Sequence, residues 1–148
     1  MRVAWQITEL FKNERNQNIA FVFCFAILVF LDQFFKKILS AVSYYNDKFA
    51  FSLPLSQQVI YIIYSAVLLG IFWYLSRYYQ NLNFRSKLAW VLILAGAFSN
   101  IVERILFGKV GDFIYIRLFG LTGIYNLADF YILAGVAGLI LTQPPKAK

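Results

Sequence analysis

Histidine is absent from the chain, and cysteine occurs once, at Cys24. Without an imidazole, Ser-His and Cys-His nucleophilic catalysis and the usual zinc ligand sets are excluded. A single cysteine excludes an intramolecular disulfide. Set in an apolar run, Cys24 is most simply a lipid-facing or packing residue, and Phe23 before it is not the small residue that usually precedes a lipidated cysteine. Acidic residues are scarce, 7 against 14 basic ones, for a net charge of +7. The basic residues lie in short clusters between apolar stretches, which fits the positive-inside bias of a membrane protein and not a nucleic-acid-binding face. Internal repeats and low-complexity segments are also missing. No small-residue cleavage pattern ends the first apolar run, which continues into Asp32 and Lys36, so that segment is expected to stay.

What the chain has in excess is apolar surface. Of 148 residues, 61% are hydrophobic and 20% aromatic, well beyond the half or so of a soluble domain. One compact domain, residues 1–148, is all this length allows. Four long apolar stretches cover about residues 19–39, 59–75, 88–106 and 124–141. Roughly 20 helical residues rise ~30 Å, the thickness of the hydrocarbon core, and lipid demands that every backbone polar group be satisfied internally. The expected fold is therefore an all-α integral membrane protein with four transmembrane helices. Arg2, Lys12 and Arg15 in the leader, Arg77, Arg85 and Lys87 in the second-to-third loop, and Lys146 and Lys148 in the tail then share one side. That side is the more basic, which places both termini in the cytoplasm. Val3, Ile7, Leu10 and Phe11 recur at helical spacing, so residues 1–17 read as an amphipathic leader along the inner surface.

On the other side, residues 43–55 alternate loosely, with Phe49, Phe51, Leu53 and then Pro54, and suggest extended structure. Residues 107–120 contain Gly108, Gly111 and Gly120 around a β-branched and aromatic run from Phe113, which reads as a strand. A small β-sheet and loop at the outer face would hold both segments.

Ionisable groups within spans cost a few kcal/mol each at mid-depth, so their placement needs a reason. Asp32 and Lys36 form an i,i+4 pair with the acid first, the favourable order. It is either a neutralised pair near the interface or a contact for substrate or lipid headgroups. Gly96, Asn100 and Arg104 share one face of the third span, bordered by Glu103. Helix–helix hydrogen bonding by Asn100 and interfacial anchoring by Arg104 would account for them structurally. Asp112 follows in the outer segment, and Asp129 lies one turn into the fourth span with Asn126 on its face. Two carboxylates brought together can share one proton, the ionised one activating water and the protonated one assisting the carbonyl oxygen. That chemistry competes with structural pairing and with an acidic ion site in a transport protein, although four spans show no evident inverted repeat or broken helix pair. A presenilin-type protease needs Gly-x-Gly-Asp, and Lys109 stands where the first glycine would be.

Taken in order, Leu31-Asp-Gln-Phe-Phe-Lys36, Asn46-Asp-Lys-Phe-Ala-Phe-Ser52, Gly96-Ala-Phe-Ser-Asn-Ile-Val-Glu-Arg104, Gly108-Lys-Val-Gly-Asp-Phe-Ile114 and Tyr125-Asn-Leu-Ala-Asp129 resemble the lipoprotein signal peptidase (signal peptidase II) family. The resemblance implies a four-helix membrane fold with a small outer sheet and an outer helical loop. It implies an aspartic endopeptidase of the bacterial inner membrane that cuts lipid-modified prolipoproteins just before the lipidated cysteine, with Asp112 and Asp129 as the catalytic pair. Asp32, Lys36, Asn46, Asn100, Arg104 and Asn126 match residues around substrate and dyad. The family uses no metal or organic cofactor and is the target of globomycin. Membrane lipids are the other implied partners, nucleic acid is not, and a monomer is expected. An inactive relative that binds lipoproteins without cutting them would lack the dyad that is intact here. The chain departs from the family pattern at Glu103 (usually Asp), Lys48 (usually Gly), Gly111 (commonly Val) and Ser99 (often Gly).

Overall fold

The computed structural model describes residues 13–47, 55–118 and 121–142. Four helices follow one another: α1 (Glu14–Ile38), α2 (Gln57–Tyr78), α3 (Phe84–Phe107) and α4 (Leu127–Leu141). Strand β1 (Tyr44–Asn46) lies between α1 and α2, and β2 (Val110–Asp112), β3 (Ile114–Leu118) and β4 (Leu121–Tyr125) lie between α3 and α4. The first three helices are long and apolar enough to cross a membrane. The fourth has 15 residues, a rise of about 22 Å against a hydrocarbon core of ~30 Å.

Each helix starts where a polar side chain accepts an otherwise orphaned backbone N–H. Asn13 caps α1, Ser56 caps α2 and Asn83 caps α3. Glu14 in the first turn of α1 and Lys36 and Lys37 in its last complement the helix dipole. Gly108 ends α3 in the left-handed region at φ 70°, its N–H closing on the Arg104 carbonyl at 3.0 Å, a conformation glycine adopts without a Cβ penalty. Glu14–Gln17, the end of the expected leader, form the first turn of α1, and residues 1–12 lie outside the described residues.

The apolar fourth stretch is not all helix. Ile124 and Tyr125 belong to β4, and α4 begins only after Asn126. The small sheet expected to hold both outer segments forms between β1 and β2, and a second two-stranded sheet, β3 with β4, stands beside it in the order of the chain. β1 pairs antiparallel with β2, Tyr44 opposite Asp112 and Asn46 opposite Val110. β3 pairs antiparallel with β4 as a hairpin, Ile114 opposite Tyr125 and Leu118 opposite Leu121, and residues 119–120 lie outside the described residues. The outer helical loop has no counterpart among the described residues, and Lys48, Phe49, Phe51, Leu53 and Pro54 lie outside them.

The bundle is asymmetric. α3 and α4 pack backbone to backbone: a Cβ on Gly96 would collide with the Ala128 carbonyl oxygen, and one on Gly135 would lie 2.6 Å from the Ala89 oxygen. Such approach through small residues is how helices gain contact in lipid, where the hydrophobic effect offers no drive. α1 joins α3 through ring pairs, Phe21 with Phe84 at 5.3 Å and Phe25 with Phe98 at 5.6 Å. α2 instead reaches the others through long side chains at its two ends, Tyr61 and Tyr64 towards Arg104 and Tyr74 towards Trp90. Large apolar side chains such as Val22, Phe72, Leu106 and Ile140 cover the perimeter, as a lipid-facing surface requires.

Candidate active site

The polar residues inside the spans converge at the end of the bundle that carries the sheets. Asp32, fully buried, takes the Ser99 hydroxyl at 2.6 Å and the Ala128 backbone N–H at 2.9 Å. Lys36, one turn on and 5% exposed, places Nζ 2.8 Å from Asp32 Oδ2 and 3.0 Å from Glu103 Oε2, and donates to Asn100 Oδ1 at 2.8 Å. The i,i+4 pair is thus no interfacial ornament. It is a buried ion pair whose ammonium has three acceptors, the condition under which a charge can be held away from water.

Two connections run from this ammonium to the carboxylates singled out in the sequence. In the first, Asn100 presents its carbonyl to Lys36, which turns its amide NH2 towards Asp129, and Nδ2 donates to Asp129 Oδ1 at 3.0 Å. In the second, Glu103 Oε2 also accepts the Gly111 N–H at 3.1 Å, fixing the residue next to Asp112. Glu103 thus serves a loop backbone N–H, and its second partner, Lys36, explains why its charge is tolerated.

Asp112 and Asp129 meet through Asn126, which is 1% exposed. Its Nδ2 donates to Asp112 Oδ1 at 2.6 Å, and its Oδ1 accepts the Asp129 N–H at 3.1 Å. Its own backbone N–H donates to Asp129 Oδ2 at 3.0 Å, completing a capping box at the start of α4. The β3–β4 hairpin makes this possible: the Phe113 N–H donates to the Tyr125 carbonyl at 2.9 Å, so the chain that leaves Asp112 returns beside it. Asn46, delivered by β1, adds a longer bond to Asp112 Oδ2 at 3.4 Å.

Asp112 lies outside the helices and is 4% exposed. Burial pushes its carboxyl from 3.8 to about 6; the charge of Asp129 adds to the rise, while the Asn126 and Asn46 donors and the Lys36 ammonium oppose it. An acid in this position exchanges its proton near neutrality, as general acid–base work requires. Among the described residues no His, Cys, Asp or Glu side chains are grouped to hold a metal ion.

Of the residues named from the sequence, Asp32, Lys36, Asn46, Asn100, Asp112, Asn126 and Asp129 come together. Arg104 turns to α2, where Nη1 donates to the Tyr64 hydroxyl at 2.9 Å. Four-residue spacing advances about 40° per step, so eight residues separate the directions of Gly96 and Arg104 by roughly 80°. Gln33, Ser99 and Tyr64 were not read as site residues. Gln33 donates to the Ser99 hydroxyl at 2.8 Å, which in turn holds Asp32. Their signal was present: a glutamine and a serine within apolar spans ask for a partner just as charged groups do.

A multi-pass membrane bundle with a buried carboxylate cluster beneath a small sheet cap is the class this architecture defines. Within that class, the family model for signal peptidase (SPase) II matches residues 7–143, and the chain belongs to this family. It is similar to a lipoprotein signal peptidase of Microcystis aeruginosa, 43% identical over 65 residues, covering 44% of this chain and 41% of that protein. A lipoprotein signal peptidase of Chlamydia trachomatis is 35% identical over 98 residues, covering 65% and 59%. One of Streptococcus pyogenes is 29% identical over 108 residues, covering 73% and 70%. The matched stretch is thus less than two-thirds of the length of the first two relatives. Two solved structures described as a bacterial membrane enzyme share the fold, with TM-scores of 0.71 and 0.70 at 24% identity over 82% of this chain and 85% and 90% of theirs.

Proposed function

We propose that the protein is an intramembrane aspartic endopeptidase that removes signal peptides from diacylglyceryl-modified prolipoproteins, cutting before the lipidated cysteine. The observation that carries this reading is the binding of two carboxylates, from β2 and from α4, to one buried asparagine. Two acids so close do not both ionise readily, and one proton is held between them. The ionised member takes a proton from water as its oxygen attacks the scissile carbonyl carbon. The protonated member gives its proton to the carbonyl oxygen, forming a tetrahedral diol. Collapse of the diol breaks the C–N bond, the leaving nitrogen takes a proton, and the dyad returns to its singly protonated state. Asn126, Asn100 and Asn46 orient the two acids, while Lys36, Asp32 and Glu103 hold those orienting groups. Arg104, which donates to Tyr64 on the α2 side, is the remaining residue that matches the family's substrate surroundings.

In this reading the sheet end faces the outside of the bacterial inner membrane, both termini are cytoplasmic, and the protein acts as a monomer without metal or organic cofactor. The test is incubation of the purified protein with a lipidated prolipoprotein, with and without globomycin. Release of the signal peptide, blocked by globomycin, is the expected result. A folded protein that binds the precursor without cutting it would replace this reading with that of a lipoprotein-binding relative.

A further inference from the structure

α2 stands off from α3 along the half of the bundle away from the sheets. The opening is a groove of about 510 Å³, lined by Leu68, Ile71, Phe72, Leu75 and Tyr79 on one wall and Leu94 on the other, within the size range of small-molecule sites. From Leu68 to Tyr79 it runs eleven residues, or roughly 16 Å, which is about half of the ~30 Å hydrocarbon core and therefore one leaflet. A wall this apolar and this long matches a single acyl chain.

A buried cation lies at the mouth of the groove, beside Tyr79. Lys87 is 5% exposed, yet no carboxylate among the described residues pairs with it; its Nζ rests 4.6 Å from the centre of the Tyr79 ring. One turn beyond Lys87, the Trp90 Nε1 is buried with no hydrogen-bond partner among the described residues, while its ring packs 5.5 Å from Tyr74 of α2. Ammonium and indole N–H both donate and neither accepts. What completes them is a molecule with anionic and carbonyl oxygens at one end and an apolar tail at the other.

We propose that this groove binds one anionic phospholipid of the leaflet opposite the sheets, its acyl chain between α2 and α3 and its phosphate against Lys87. The site is separate from the carboxylate cluster and does not rest on the peptidase reading. A signal-peptide helix is the competing occupant, but the n-region of a signal peptide is itself basic and would meet like charge at this mouth.

The test is native mass spectrometry of the full-length protein in detergent, with palmitoyl-oleoyl phosphatidylglycerol or phosphatidylcholine added at equal concentration. One phosphatidylglycerol should be retained per chain in preference to phosphatidylcholine. Leu94→Trp, which fills the groove from the α3 wall, should remove retention of both lipids. Lys87→Gln should weaken phosphatidylglycerol about fivefold, the usual effect of one basic group near an anionic lipid surface, and leave phosphatidylcholine unchanged. Lys87→Arg, which keeps the cation, should retain the preference for phosphatidylglycerol and carries the charge test if Lys87→Gln does not fold. Equal retention of the two lipids by the unaltered protein overturns the proposal. So does unchanged retention in Leu94→Trp, or displacement of phosphatidylglycerol by a synthetic signal peptide.

Discussion

Asn126→Asp replaces one side chain by another of the same size at the single point where both carboxylates meet. The cap is kept, because an aspartate oxygen still accepts the Asp129 N–H that Asn126 holds at 3.1 Å. What disappears is the NH2 that donates to Asp112 at 2.6 Å. A hydrogen bond to a charged group contributes about 1.5–3 kcal/mol, and 1.36 kcal/mol corresponds to one pH unit. Losing the bond should therefore move the titration of Asp112 from about 6 up by roughly one to two pH units. When protonated, the introduced carboxyl can restore the donor, so folded stability should be nearly native at pH 5 and fall as pH rises through the raised value. The folded acid holds its proton more tightly than the unfolded one, so rising pH favours unfolding. Cleavage of a lipidated precursor should show its acid limb shifted to higher pH and a lower maximum, with thermal unfolding in detergent measured at pH 5 and pH 8. An unchanged pH profile in a folded Asn126→Asp protein would refute the reasoning, since the other side-chain donor to Asp112 among the described residues, Asn46, stands farther off at 3.4 Å.

Asp112→Asn and Asp129→Asn should each remove nearly all cleavage while the double change adds little, as for residues acting as a unit; substantial cleavage by either folded variant would end the aspartic mechanism. Above pH 6, Asp112→Asn should also raise stability by up to ~3 kcal/mol, because ionising the buried acid is what burial opposes; unfolding in detergent at pH 5 and 8 reads this. Lys36→Met should cost about 3–5 kcal/mol by leaving Asp32 buried without its cation, and adding Asp32→Asn should recover part of it in the same assay. Glu103→Asp keeps the charge opposite Lys36 and should retain most cleavage; abolition with the fold intact would show a direct role for Glu103. Cysteines placed in residues 77–87 should label only from the cytoplasmic side, and outer-side labelling would invert the orientation.

The helices were legible because continuous apolar runs allow no other spanning structure, and Asp112 and Asp129 because isolated acids in such a chain demand a reason. The start of α4 was not. Ile124, Tyr125 and the residues after them are equally apolar, so hydropathy alone runs strand into helix. The boundary was nevertheless written in Asn126 and Asp129, a capping residue and an acid three positions apart. The β1–β2 pairing was invisible for another reason: strands of three residues carry no period, and Tyr44 finds Asp112 only after two helices have crossed between them. A straight row of four-residue steps hides one contact: the row winds around the helix, and Arg104 donates to Tyr64 of α2.

The shortness of α4 bears on the membrane itself. A helix with a rise of about 22 Å cannot match a hydrocarbon layer of ~30 Å, and lipids beside such a helix thin at a cost of fractions of a kcal/mol per Å. Asp129 lies in the first turn of that helix, so a bilayer that thins at this end would bring interfacial water towards the carboxylates without a pore through the bundle. Longer-chain lipids would deepen the mismatch, and shorter-chain lipids would relieve it.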